Sequence, residues 1–237
     1  MGGVLTVIAG WLRDIGGSLY PRLCTVCGRP LVRGEEIMCL GCSVDMPRTR
    51  LHTQQFGIIH QRLAGHAPIE RAASYFYYHR DGKYARLIHD AKYNGRPYIA
   101  RGLAARYAAE IAPDGFFEGI DIIIPVPLHR SKLRRRGYNQ SRVIAEGVAE
   151  VTGIGIGDNL VARHGHSTQT RLNAFQRWLN ARDIYAVERA GELRGRHVLI
   201  VDDVLTTGAT LLACCEAVHN AAPDATISVL TIALTHQ

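Results

Sequence analysis

The chain has 237 residues, of which 47% are hydrophobic and 21% charged, and it carries a formal net charge of +7. That is ordinary usage for one globular domain with a small companion; it excludes an intrinsically disordered chain, and no apolar run approaches membrane-spanning length. The basic excess favours anionic partners, phosphate or nucleic acid, without choosing between them.

The opening residues, MGGVLTVIAGWLRDIGG, are apolar but have neither a basic start nor a small-residue cleavage site. They read as a short amphipathic helix and not as a signal peptide, and the expected location is the cytoplasm. Six cysteines are present. Without an export signal they are not expected to form a disulfide framework. Cys24, Cys27, Cys39 and Cys42 follow the pattern C-x2-C, eleven residues, C-x2-C. Each pair makes a tight turn with two sulfurs on one side, and two such turns make the tetrahedral cage that structural zinc requires. The alternatives are a metal-free reduced quartet and a redox pair; the spacing favours zinc. A closed four-sulfur site has no open coordination position, so its role is structural. Gly28 and Gly41 are expected to take the unusual backbone angles of such knuckles.

Pattern is weakest between residues 45 and 68, where a boundary is expected; we divide the chain into a zinc module at 1–50 and a larger domain at 51–237. Residues 69–80, IERAASYFYYHR, read as a strand. Asp81 is placed to cap a helix through GKYARLIHDAKY, which Asn94-Gly95 breaks. Pro97 restarts a helix in which Ile99, Leu103, Ala104, Tyr107 and Ile111 recur at core spacing. A buried strand at 119–130 ends in two prolines, and a helix over 138–153 ends at Gly153. Residues 166–187 begin polar and become amphipathic. A second buried strand, RHVLIVDD, leads through a loop into the helix TGATLLACCEAVHNAA, and ATISVLTIAL over 225–234 is a third. Strands alternating with helices predict an α/β fold, a parallel sheet with helices on both faces. Cys214 and Cys215 lie among small apolar residues and read as core thiols.

Two stretches carry chemistry. In VLIVDDVLTTGATL, residues 198–211, alternation sends Asp202 and Asp203 to opposite sides of a strand whose carboxyl end is where open α/β sheets bind ligands. The loop Val204–Thr210 opens directly into a helix, so its N–H groups, hydroxyls and the helix dipole favour an anion. In PVPLHRSKLRRRGYNQS, residues 125–141, six basic side chains fall within eight residues, counting His129. This run also lies between a buried strand and a helix, at the same edge. Arg134, Arg135 and Arg136 are favoured for bidentate phosphate contacts over Arg130 and Lys132.

Residues 198–211 resemble the 5-phosphoribosyl-1-pyrophosphate (PRPP) motif of type I phosphoribosyltransferases. The resemblance implies that Asp202 and Asp203 bind the ribose hydroxyls and that Thr206, Thr207, Gly208, Ala209 and Thr210 hold the 5'-phosphate. It further implies Mg bridging pyrophosphate and ribose oxygens, with the arginine-rich run taking the pyrophosphate. Together with the cysteine cage, Lys92-Tyr93 ahead of a glycine, the Pro-Val-Pro loop and STQTRLNAFQRWLNARDIY, the motif resembles the ComF (competence protein F) family over nearly the whole chain. Thr168, Gln169 and Thr170 then correspond to a flexible loop closing over the reaction centre, with Arg177 and Asn180 following. The resemblance implies PRPP or a phosphoribosyl nucleotide as ligand, an unidentified acceptor, and a role in natural transformation with single-stranded DNA and other competence proteins as partners. Two functions stay open: Mg-dependent phosphoribosyl transfer, and a non-catalytic single-stranded DNA-binding module that retains the fold. For the latter, Tyr75, Phe76, Tyr77 and Tyr78 are candidate stacking residues, although strand packing explains them equally well.

Overall fold

A computed structural model describes residues 21–64, 67–163 and 184–235. They fall into two compact units, one up to Met46 and one from Pro47 onward. The helix expected at the N-terminus and the segment containing Thr168, Gln169, Thr170, Arg177 and Asn180 lie outside the described residues.

In the first unit the chain turns tightly after Cys24: Gly28 N donates to Cys24 O at 2.8 Å and Cys24 N to Arg29 O at 2.8 Å. Gly28 has φ +75°, so this knuckle does need a glycine. Gly41 does not. It lies inside helix α1, Leu40–Val44, which starts directly after Cys39 and carries Cys42 on its first turn. The second knuckle is thus the start of a helix, and ordinary backbone serves.

The second unit is built on a four-stranded parallel sheet, in the order β1-β6-β5-β2. The strands are β1 Ala72–Tyr78, β2 Ile122–Pro125, β5 His197–Leu205 and β6 Thr226–Thr235. Ile122, Ile124, Val198, Ile200, Ile227 and Val229 form one face and pack with Leu211, Cys214, Cys215 and Val218 of helix α7, Ala209–Ala221. Alternation sends Ile123, Leu199, Leu230 and Ile232 to the other face, where they are also fully buried. There helices α4, Pro97–Ile111, and α6, Gln140–Thr152, pack on the sheet and on each other. The five residues expected in the α4 core stripe are all buried. A Cβ on Gly147 would lie 2.2 Å from the Arg101 carbonyl oxygen, so the two helices meet backbone to backbone. Each such large aliphatic side chain contributes about 1.5–3 kcal/mol on burial, which makes the two-sided core the main support of the sheet edge described below.

Several expectations are corrected. Asp81 is not a cap: helix α3 is Ala85–Tyr93 with Tyr84 at its N-cap, because the turn at His79–Gly82 precedes it. Strand β5 continues through Val204 and Leu205, which pair with Ala233 and Leu234, so the loop before α7 is shorter than Val204–Thr210. The basic run is not a loop but a two-turn helix α5, Arg130–Arg136. Its physical logic is local: His129 Nδ1 accepts from Ser131 N at 3.3 Å, three arginines occupy the last turn, and Gly137 closes it at φ +83°. Two short strands, β3 Leu160–Ala162 and β4 Tyr185–Val187, form an antiparallel pair that three-residue segments give no periodic signal for. Tyr75 and Phe76 are buried in β1, a strand covered on both faces, so neither is a surface for base stacking.

Candidate functional site

All four parallel strands end at one cleft of about 1140 Å³, whose lining includes Tyr78 from β1, Val126 after β2, Asp202, Asp203 and Val204 from β5, and Thr235 from β6. Helix α3 and the start of α6 form its walls.

The two aspartates differ in environment. Ser141 Oγ donates to Asp202 Oδ1 at 2.9 Å, and Asp203 N donates to the same oxygen at 2.9 Å. Burial, and next the charge of Asp203, push the Asp202 carboxyl up to about 7. Asp203 instead carries a counter-ion, Lys92 Nζ at 2.8 Å. Lys92 lies in the last turn of α3, and two contacts from the Gly-Tyr-Asn-Gln-Ser segment fix that end. The Tyr138 hydroxyl donates to Ala91 O, and Gln140 Nε2 donates to Lys92 O at 3.4 Å. Arg136 donates to Gln140 Oε1, and its guanidinium stands 5.4 Å from the centre of the Tyr93 ring. Asn139 caps α6 through Ser141 N at 3.1 Å and donates to Val126 O at 2.9 Å. The Gly-Tyr-Asn-Gln-Ser segment is therefore the latch between β2, α3 and β5.

The turn between β5 and α7 is Thr206–Gly208. Gly208 has φ +86°, and a Cβ there would meet Leu63 Cδ2 at 3.0 Å and the Arg62 carbonyl at 3.1 Å. Arg62, from helix α2, Ile58–Arg62, donates to Thr206 O at 3.2 Å. Thr206 and Thr207 are exposed, and the first-turn N–H groups of α7 lie beyond them, where a helix has no partners of its own to offer.

The basic helix divides. Lys132 and Arg136 line the cleft; Arg130, Arg134 and Arg135 are exposed and do not. Burial, then the charges of Arg136 and Arg135, hold the Lys132 ammonium below its usual range. Arg134 and Arg135, favoured from sequence, are thus not brought together with the aspartates, whereas Lys132 is. Thr206 and Thr210 line the cleft with Asp202 and Asp203. Reading residues one motif at a time missed Ser141 and Asp90, and noticed Lys92 only as part of a pattern; the one available signal was the Asn-Gln-Ser cap at the start of a helix following a strand.

Cys24, Cys27, Cys39 and Cys42 have their sulfurs all within 4.8 Å of one another. Cys39 N donates to Cys24 Sγ at 3.3 Å, a bond that ties the two cysteine pairs together. Among the described residues no helix is long and apolar enough to cross a membrane.

A parallel sheet with an acidic pair and a Thr/Gly turn at its carboxyl edge defines a domain of the type I phosphoribosyltransferase fold, and a family model described as the phosphoribosyl transferase domain matches residues 139–236. The chain is 29% identical over 201 residues to the DNA utilization protein YhgH of Escherichia coli K12, covering 81% of this chain and 88% of that one. It is 38% identical over 93 residues to Competence protein F of Haemophilus influenzae, covering 38% and 41%. To Competence protein ComFC of Bacillus subtilis it is 22% identical over 213 residues, covering 89% and 77%. The relatives named Competence protein F and ComFC and the phosphoribosyl transferase family model support a likeness to the ComF family. Among solved structures, the allosteric regulatory enzyme of purine biosynthesis is similar over 56% of this chain and 25% of its own, at 22% identity and TM-score 0.38. Adenine phosphoribosyltransferase from Saccharomyces cerevisiae is similar over 59% and 70%, at 16% identity and TM-score 0.38.

Proposed function

We propose that the cleft binds PRPP together with a divalent cation and transfers its phosphoribosyl group to a nitrogen acceptor. The observation that carries this reading is the convergence of Asp202 and Asp203, Thr206 and Thr210, and Lys132 and Arg136 on one cleft at the carboxyl edge of a parallel sheet. Asp202 and Asp203 accept hydrogen bonds from the ribose hydroxyls. The turn from Thr206 to Thr210 and the α7 N-terminus hold the 5'-phosphate. Lys132 and Arg136 hold the pyrophosphate. An acidic pair beside a basic wall is a donor set that fits Mg, which when bound neutralises pyrophosphate charge. In the reaction the C1–O bond to pyrophosphate breaks with its electron pair on the departing oxygen. A C1–N bond forms from the acceptor's lone pair, and the acceptor's proton passes to solvent. This chain's contribution is positioning at both ends and stabilisation of charge on the leaving group. Thr168, Gln169 and Thr170 are proposed to close over this centre.

The test is thermal unfolding with and without PRPP and Mg. PRPP with Mg raises the midpoint, and Asp202→Asn with Asp203→Asn abolishes the rise. A wild-type protein unmoved by millimolar PRPP refutes the reading.

A second reading has its own observation. Arg130, Arg134 and Arg135 are exposed on the outside of α5, where PRPP does not use them. With the net charge, and relatives named for competence and DNA utilization, they support single-stranded DNA binding by a protein that works in the cytoplasm with other competence proteins. Salt-dependent oligonucleotide affinity that survives Arg134→Ala with Arg135→Ala argues against it. In the first unit the four sulfurs fit a structural zinc ion.

A further inference from the structure

The turn that the PRPP reading, on which this inference rests, gives to the 5'-phosphate is held from outside by an element to which no motif points. Helix α2, Ile58–Arg62, lies in the stretch where sequence pattern is weakest, and outside the residues that the phosphoribosyl transferase model matches. Its start is tied down by Gly57 N, which donates to His60 Nδ1 at 3.2 Å. Ile59 and Leu63 are buried in the same cluster as Leu205 and Leu211, the residues that flank the turn. The helix is therefore anchored in the core beside the turn.

Two contacts run from α2 to the turn. Arg62 donates to Thr206 O at 3.2 Å. Gly208 lets the end of α2 close up on it: a Cβ there would stand 3.0 Å from Leu63 Cδ2 and 3.1 Å from the Arg62 carbonyl oxygen. Among the described residues Arg62 has no carboxylate partner, so the Thr206 carbonyl is what its guanidinium holds.

Peptide geometry turns this hold into a direction. The carbonyl and the following N–H of a trans peptide point opposite ways, and the described residues contain no cis bond. By fixing Thr206 O, Arg62 aims the Thr207 N–H away from α2. Arg62 and Leu63 do not line the cleft, whereas Thr206 and Thr210 do, so away from α2 is towards the cleft. Among the described residues the Thr207 and Gly208 N–H groups have no hydrogen-bond acceptor. Unused donors in a turn that opens into a helix favour an anion, and a guanidinium charge behind them strengthens that preference.

We propose that Arg62 is a positioning residue for the 5'-phosphate. It acts through the Thr206 carbonyl to aim the turn's N–H groups, and so makes the cleft select sugars that carry a 5'-phosphate.

The experiment titrates three probes into the full chain by calorimetry: PRPP with Mg, ribose 5-phosphate, and inorganic pyrophosphate with Mg. Arg62→Met keeps a long side chain and removes the donors. It binds PRPP and ribose 5-phosphate about tenfold more weakly, the scale of one hydrogen bond from a charged group, while its pyrophosphate affinity matches wild type. Arg62→Lys, which can still donate to Thr206 O, recovers part of the loss. In parallel, amide relaxation is measured by NMR on the ligand-free proteins. Order parameters at Thr207 and Gly208 fall in Arg62→Met, while those of α6 stay at rigid-backbone values and show that the variant is folded. Unchanged ribose 5-phosphate affinity, or an equal loss for all three probes, overturns the proposal. So do turn amides as rigid in Arg62→Met as in wild type. A wild type that does not respond to PRPP refutes the PRPP reading alone, because the relaxation measurement needs no ligand and still decides whether Arg62 holds the turn.

Discussion

Replacing Asp202 by Asn is expected to stabilise the protein in its ligand-free form, and to do so increasingly as pH rises. The folded protein holds this carboxyl at about 7 against an ordinary value of 3.8, through burial first and the Asp203 charge second. An acid whose folded value is raised binds its proton more tightly when folded. The fold therefore carries no penalty below about pH 4, loses stability as pH climbs towards 7, and bears the full cost above that. At about 1.4 kcal/mol per pH unit, the full cost is on the order of 4 kcal/mol. Asn keeps the Oδ1 that accepts from Ser141 Oγ and Asp203 N and removes the charge. The groups around it are Asp203 on its own strand, Lys92 from α3, Ser141 from α6, Cys214 from α7 and Tyr185 from β4. Of these, burial foremost, with Cys214 and Asp202 next, holds the Tyr185 phenol above its usual range, so it stays neutral through the window. Between about pH 5 and pH 8 the stability gap between variant and wild type widens by on the order of 2–3 kcal/mol. For a chain of this size that is roughly 5–10 °C in midpoint. Paired thermal melts in buffers across that range read it directly. A gap that does not change with pH, or a variant less stable than wild type at pH 8, refutes the assignment of a buried, high-affinity proton to Asp202.

Further outcomes follow from the same contacts. Lys92→Met leaves Asp203 without its 2.8 Å counter-ion and is expected to destabilise the ligand-free protein by about 1–3 kcal/mol in urea melts, with the loss reduced in Asp203→Asn. Gly147→Ala places a methyl group 2.2 Å from the Arg101 carbonyl and costs about 1–3 kcal/mol, measured the same way, with PRPP affinity retained. Gly208→Ala meets both φ +86° and the Leu63 side chain, and it weakens the PRPP shift more than it lowers the ligand-free midpoint. Cys24→Ser loses one equivalent of bound zinc by metal analysis, and a full equivalent retained counts against the cage.

The sequence revealed what repeats or alternates. Buried strands announced themselves as apolar runs, α4 by its 3.6-residue stripe, the knuckles by cysteine spacing, and the β5 edge by a strand running into acids and a Thr/Gly turn. It could not reveal which side of a short basic helix faces the cleft. The run 130–136 reads as six polar or charged residues around Leu133, and only the position of α5 after β2 separates Lys132 and Arg136 from Arg130, Arg134 and Arg135. Nor could it show that Lys92 meets Asp203. That contact joins the end of one helix to a strand more than a hundred residues later, through hydrogen bonds made by Tyr138 and Gln140 from a third element. Long-range pairing of single side chains leaves no period to read.

The cleft's electrostatics explain why two adjacent aspartates persist at a buried strand end. Left ionised side by side, they would repel each other in a site that solvates them poorly. The fold answers each differently: Lys92 neutralises Asp203, and burial favours the protonated form of Asp202. The same cleft is also lined by basic side chains, Lys132 and Arg136 among them. On the proposed reading, sugar hydroxyls donating to Asp202 favour its ionised form, so binding PRPP near neutral pH releases a proton from this residue. The strain that Asp202 places on the ligand-free fold is thereby relieved by the ligand, and the stability lost above pH 7 returns as affinity.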